Sequence, residues 1–247
     1  MNPDFGLIGK KLSHSFSKSY FTDKFQEERL PYTYENFEIH HASAIKDLVK
    51  MYQSIRGFNI TVPYKSEVIP YLDALSPEAE KIKAVNTVKV QQGRLMGFNT
   101  DVVGFRDSLI GFYEEDPGGS ALILGTGGAS KAVVHVLKHF FHFDEVRFAS
   151  RSPSHPDHIS YPALAKIGLQ DYKLIVNATP VGMFPEQGNF PDLPYESLGR
   201  SNYLYDLVYN PEETEFLRKG RLQRCHIKNG MEMLIKQAEA SWMIWNQ

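Results

Sequence analysis

An apolar run, Ala121-Leu122-Ile123-Leu124, passes directly into Gly125-Thr126-Gly127-Gly128-Ala129-Ser130-Lys131, and an amphipathic pattern opens straight after it. A strand that turns through glycines into a helix is the entry of a dinucleotide-binding unit. The glycines let the backbone turn tightly and approach a pyrophosphate, which rests on the amides and positive dipole end of the helix. The usual spacing is GxGxxG, and here Ser130 takes the third place, small enough for close helix packing. On the glycines alone, a plain βα turn is the competing reading. The following strand, expected over 145–150, strengthens the cofactor reading. NAD binders end this strand on an Asp or Glu that holds the ribose 2′-hydroxyl, whereas this chain ends it Ser150-Arg151-Ser152. A guanidinium there attracts a 2′-phosphate, so the predicted cofactor is NADP(H) rather than NAD.

Around this turn, short apolar runs alternate with helical patterns, which predicts α/β architecture with mostly parallel sheets. Strands are expected at 5–9, 34–39, 57–62, 121–125, 145–150, 173–178 and 203–208, with a hairpin formed by 86–90 and 94–97. Helices are expected at 17–30, 42–52, 101–112, 129–141 and 231–245. Residues 184–200, rich in Pro and Gly, read as a long surface loop. The turn-rich stretch 114–119 reads as a seam between two α/β domains. A length of 247 residues fits one large domain or two small ones on a rule of ~150 per domain.

Charge excludes one class of partner. With 27 Lys+Arg against 29 Asp+Glu the formal net charge is −2, without the basic surplus of a nucleic-acid binder. The lone Cys225 forms no intramolecular disulfide and calls for no oxidising compartment. Met1-Asn2-Pro3-Asp4 lacks the cationic region of a signal peptide, and no apolar run approaches the ~20 residues of a membrane helix. The expected location is the cytoplasm.

The first half carries a different polar set. Leu12-Ser13-His14-Ser15-Phe16-Ser17-Lys18 opens the first helix. Its serines are either N-caps or hydroxyls that converge with the helix terminus on an anionic group such as a carboxylate. Asn59-Ile60-Thr61-Val62-Pro63-Tyr64-Lys65 puts a lysine just past a strand end. That lysine is a solvated surface charge unless it is desolvated or paired with a carboxylate, in which case it becomes a candidate acid/base. Ala84-Val85-Asn86-Thr87 and Gly97-Phe98-Asn99-Thr100-Asp101 supply amides, hydroxyls and a carboxylate, each also a plausible turn or cap residue. His135, His139 and His142 stand at i, i+4 and i+7. With Val133, Val136, Leu137 and Phe140 opposite, they read as the solvated side of an amphipathic helix rather than a metal site. No metal is expected, and no GxSxG elbow supplies a nucleophile.

Together these segments resemble the shikimate dehydrogenase family over about 5–237. The matching pieces, in order, are Ser15-Phe16-Ser17, Asn59 to Lys65, Ala84-Val85-Asn86-Thr87, Asn99-Thr100-Asp101, Gly125 to Ser130, Asn177-Ala178-Thr179-Pro180, Tyr205-Asp206-Leu207-Val208-Tyr209 and Asn229-Gly230-Met231. The resemblance implies reversible NADPH-dependent reduction of 3-dehydroshikimate to shikimate, a step toward chorismate and the aromatic amino acids. It implies a substrate domain of 1–102 plus 229–247, with the C-terminal helix returning to it, and a Rossmann-like NADP domain of 103–228. Lys65 and Asp101 match the catalytic pair, and Ser15 and Ser17 the carboxylate-binding hydroxyls. Thr61, Asn86, Tyr209 and Gln237 match the remaining substrate positions. Gly125, Gly127, Gly128, Ala129, Ser130, Ser150, Arg151, Thr179, Val208 and Gly230 match the cofactor positions. The substrate partner is a small molecule, and the chain a monomer or homodimer. Two departures stand out: His155 lies near where members place a second base, and Val102 follows Asp101 where many have Gly. A broader quinate/shikimate dehydrogenase using NAD, and a non-catalytic dinucleotide-binding module, are the alternatives.

Overall fold

The structure is a computed structural model and describes residues 2–12, 15–114 and 118–247. Ser13 and His14 of the predicted serine-rich loop, and 115–117 of the predicted seam, lie outside the described residues. The chain forms two compact units, Met1–Thr100 with Ala238–Gln247, and Asp101–Gln237.

The first unit is built on β1 (Phe5–Gly9), β2 (Tyr34–Glu38), β3 (Gly57–Ile60), β4 (Ala74–Leu75), β5 (Thr87–Gln91) and β6 (Arg94–Phe98), in the order β2-β1-β3-β5-β6-β4. β1 pairs in parallel with both β2 and β3, whereas β5 runs antiparallel to β3 and β6. The sheet is therefore mixed rather than mostly parallel, because the β5–β6 hairpin reverses the chain. Gln92 (φ 53°) and Gly93 (φ 74°) form its two-residue turn, left-handed at both central positions as such hairpins need. Along β1 the side chains alternate. Phe5 and Leu7 join one core with Phe21 and Phe25 of α1 (Phe16–Glu27), and Ile8 joins the other with Ile45, Phe58 and Val88. The short helices α2 (Ile45–Met51), α3 (Tyr64–Glu67) and α4 (Pro77–Ile82) complete the unit.

The second unit begins with α5 (Asp101–Leu109). It contains β7 (Ser120–Leu124), α6 (Gly128–His139), β8 (Glu145–Ser150), β9 (His158–Ser160), α7 (Tyr161–Ile167), β10 (Tyr172–Asn177), β11 (Tyr203–Asp206), α8 (Glu215–Leu222) and β12 (His226–Lys228). Its six strands are all parallel, in the order β12-β11-β10-β7-β8-β9. Ala121 to Leu124 and Leu174 to Val176 are wholly buried, so these strands read as unbroken apolar runs. The order reverses between β7 and β10, and the crevice at the carboxyl ends of such neighbours is where open α/β sheets bind ligands.

The helix α9 (Met231–Trp245) has the bounds expected from sequence, and the boundary between units falls inside it. Its last turns bring Ala238, Trp242 and Trp245 onto the Phe5–Phe21 core of the first unit. Most other differences from expectation are short elements. The predicted loop 184–200 contributes Leu193, Tyr195 and Leu198 to the core, with a 3-10 turn at Tyr195–Ser197. The helix α6 stops at His139, so His142 (φ 53°) is not on its face, and Phe140 is 44% exposed rather than buried. Among the described residues no helix is long and apolar enough to cross a membrane.

Candidate active site

In the second unit the glycine turn has the geometry its sequence called for. Gly125 adopts φ +97°, and a Cβ there would stand 2.7 Å from Thr179 Cγ2. Both facts restrict the position to glycine. Gly127 caps α6 from extended backbone with no side-chain cap, and a Cβ on it would meet nothing. No side chain takes up the first amides of α6 as a cap. Ser130, the departure from GxGxxG, is buried and donates its hydroxyl to Gly127 O at 2.6 Å, closing the turn on itself. Arg151 is exposed, one residue past the end of β8, the strand that pairs with β7. Ser150 accepts the amide of Ser152 at 3.2 Å and shapes that strand end. These residues fit a dinucleotide bearing a 2′-phosphate, with amides and space for the pyrophosphate and a cation for the extra charge.

Across the switch point, Leu124 pairs with Asn177, and the loops after β10 and β11 hang on buried polar groups. Thr179 donates both its amide (3.1 Å) and its hydroxyl (2.6 Å) to Asn177 Oδ1. Asn177 in turn donates to Asp206 Oδ1 at 2.9 Å. Val208 donates its amide to the same oxygen and accepts that of Gly230 at 3.1 Å. A Cβ at Gly230 would run into Leu207 O, so glycine alone permits this approach. Asp206 is wholly buried, and burial pushes its carboxyl up to about 6. Sequence reasoning placed Asp206 in the family motif without giving it a role. The signal was a carboxylate inside an apolar strand.

The first unit carries Ser15, Ser17, Thr61, Lys65 and Asn86. Ser15 accepts the amide of Lys18 at 3.2 Å as the N-cap of α1, which is its structural alternative realised. Lys65 lies half-buried on α3, and its carbonyl accepts the Val85 amide at 2.7 Å, which docks α3 beside Asn86. Asn86 is buried and its amide is fixed at both ends: Oδ1 accepts from Thr100 N at 2.6 Å and Nδ2 donates to Thr100 Oγ1 at 2.9 Å. Thr100 also lies 3.1 Å from Ser241 Oγ of α9, and Ser241 lies 2.7 Å from Thr87 Oγ1. Asn59 donates to Ser241 and accepts from Tyr34. Sequence reasoning missed Tyr34 and Ser241, since each is a single polar group within an aromatic or apolar pattern.

The second unit carries Asp101, Tyr209 and Gln237. Asp101 is 5% exposed and is the first residue of α5. One turn on, a Cβ at Gly104 would lie 2.6 Å from Met233 O and 2.9 Å from Gln237 Cβ. That glycine lets α9 approach α5 and sets Gln237 beside the first turn that Asp101 opens. Burial raises the Tyr209 phenol, which keeps it protonated and able to donate. Among the described residues no three His, Cys, Asp or Glu side chains are placed to hold a metal. Burial also pushes the Cys225 thiol up to about 11, away from the thiolate a nucleophile needs.

An all-parallel, doubly wound sheet with a glycine turn at its switch point, joined to a smaller mixed α/β unit, defines a two-domain α/β protein with a Rossmann-like unit. Residues 7–88 match the family described as the shikimate dehydrogenase substrate binding domain. A shikimate dehydrogenase (NADP(+)) of Caldanaerobacter subterraneus subsp. tengcongensis is 37% identical, the match covering 98% of this chain and 90% of that protein. Shikimate dehydrogenase 1 from Peptoclostridium difficile is 38% identical, with a TM-score of 0.86 and coverage of 100% of this chain and 92% of that one. Shikimate 5-dehydrogenase from Thermus thermophilus, in complex with NADP(H) and shikimate, is 31% identical with a TM-score of 0.84, covering 98% and 92%. The chain belongs to the shikimate dehydrogenase family.

Proposed function

We propose that the chain catalyses the reversible NADPH-dependent reduction of 3-dehydroshikimate to shikimate, with Lys65 and Asp101 as its acid/base pair. The observation that carries this reading is the near full-length likeness to NADP(+) shikimate dehydrogenases in a chain whose sequence retains Lys65, Asn86, Asp101 and the glycine turn. NADPH, when bound, supplies a hydride to the substrate ketone. The amides of Gly127, Gly128 and Ala129 hold its pyrophosphate, and Arg151 holds its 2′-phosphate. Charge develops on the ketone oxygen during reduction. The Lys65 ammonium stabilises that charge and delivers the proton. Asp101 orients the lysine and accepts a neighbouring substrate hydroxyl. Asn86, locked by Thr100, presents its remaining hydrogen-bonding capacity in one orientation, and Ser15 and Ser17 take the carboxylate.

On this reading the first unit is the substrate domain and the second the NADP domain. The protein works in the cytoplasm, as a monomer or homodimer. The test follows nicotinamide absorbance while the purified chain oxidises shikimate or quinate with NADP or NAD. Rapid turnover of shikimate with NADP alone is expected. Equal turnover of quinate, or with NAD, would place the chain on the broader-specificity alternative. Binding of NADP without turnover of either substrate would make it a binding module.

A further inference from the structure

We propose that Asp206 is a positioning residue for the bound dinucleotide, holding through one buried carboxylate the loops that carry Thr179, Val208 and Gly230. This rests on the reading above, in which those residues face the cofactor. The hydrogen bonds converge on the carboxylate from three segments. Asn177 Nδ2 (2.9 Å) and the Val208 amide (3.0 Å) donate to Oδ1, and the Thr214 hydroxyl (2.6 Å) donates to Oδ2.

Each arm has a separate consequence. Through Asn177, whose own Oδ1 is filled by the amide and hydroxyl of Thr179, the carboxylate fixes a side chain that stands against Gly125 of the glycine turn. Through the Val208 amide it fixes the carbonyl that receives Gly230. Through Thr214, which accepts the Leu217 amide, it fixes the start of α8 and leads away from every candidate cofactor residue. Two arms thus serve the cofactor and one serves the fold. Only an acceptor with two oxygens at this depth serves all three.

The experiment measures NADP binding to the full chain by calorimetry, without shikimate, together with thermal unfolding. Asp206→Ala is expected to weaken NADP about tenfold, the effect of losing a charged hydrogen-bond acceptor behind the contact. Asp206→Asn retains one oxygen for Asn177 and Val208, and should restore affinity to within about threefold. Thr214→Val cuts the α8 arm alone, so it should lower the melting temperature and leave NADP affinity unchanged. Native-like affinity in a folded Asp206→Ala protein would overturn the proposal, as would an equal loss in Thr214→Val. If Asp206→Ala does not fold, Asn177→Ala must show the weakened binding in its place. A native chain that binds NADP yet does not oxidise shikimate would overturn the activity reading and leave this one standing. One that binds no NADP would overturn both.

Discussion

Trp245, in the last turn of α9, donates its indole N–H to the carbonyl of Val88 on β5 across 3.0 Å, joining residues 157 apart in sequence. The ring stacks on Phe5 at 4.6 Å and fills the space that a side chain at Gly57 would need. Trp245→Ala should therefore destabilise the chain by ~3–5 kcal/mol, the cost of emptying a core site of this size. Trp245→Phe keeps the stacking and loses the hydrogen bond, at about 1 kcal/mol. Urea midpoints of the two variants check the order, and equal losses would contradict it.

If Lys65 supplies the proton, Lys65→Ala should reduce kcat by roughly 10²–10⁴-fold while KM for shikimate changes far less. Steady-state oxidation of shikimate measures both. An unchanged kcat would remove the lysine from the chemistry and leave it a surface charge on α3.

Arg151 has a narrower role. Arg151→Ala should weaken NADP by about tenfold or more, the scale of one charged hydrogen-bonded contact, and leave NAD where it is. No acidic residue replaces it at the strand end, so the variant should approach indifference between the two cofactors rather than prefer NAD. Comparing kcat/KM for the two cofactors tests this, and parallel losses for both would deny Arg151 its contact with the 2′-phosphate.

The buried Asp206 also sets a pH dependence. Its folded carboxyl titrates near 6, whereas in the unfolded chain it titrates near the ordinary 3.8. Between those values the folded chain keeps a proton that the unfolded chain has released. Stability from this group therefore falls as pH rises from about 4 to about 6 and is level above that. This is the reverse of a salt-bridged carboxylate. Relative to the native chain, Asp206→Asn should gain ~2–3 kcal/mol across that window. Denaturation midpoints of the two proteins followed with pH decide it, and parallel curves would refute the shift.

How much of this was legible beforehand depended on element length. The helix α9 was, because fifteen residues are long enough for an apolar stripe to repeat. The strand β4 was not, since two residues carry no period and become a strand only by pairing with β6. The helices α3 and α4 failed for the same reason, being four and six residues long. In the site, the glycine turn was readable because its chemistry is local. Ser241 was not, because its partners Asn59, Thr87 and Thr100 lie far back in the chain. Gly57 and Gly104 are glycines for a ring and a helix that arrive from the far end of the sequence.

The division of α9 between Gln237 and Ala238 bears on synthesis. As the chain leaves the ribosome, the aromatic face of Phe5, Phe21 and Phe25 emerges before the second unit, yet the tryptophans that cover it are translated after that unit. The nascent first unit has to wait with that face bare while the second unit, one unbroken stretch, is free to fold ahead of it. Released chains truncated after Gln237 should accordingly show a protease-resistant second unit and a cleavable first one, so that the unit begun earlier is the one completed later.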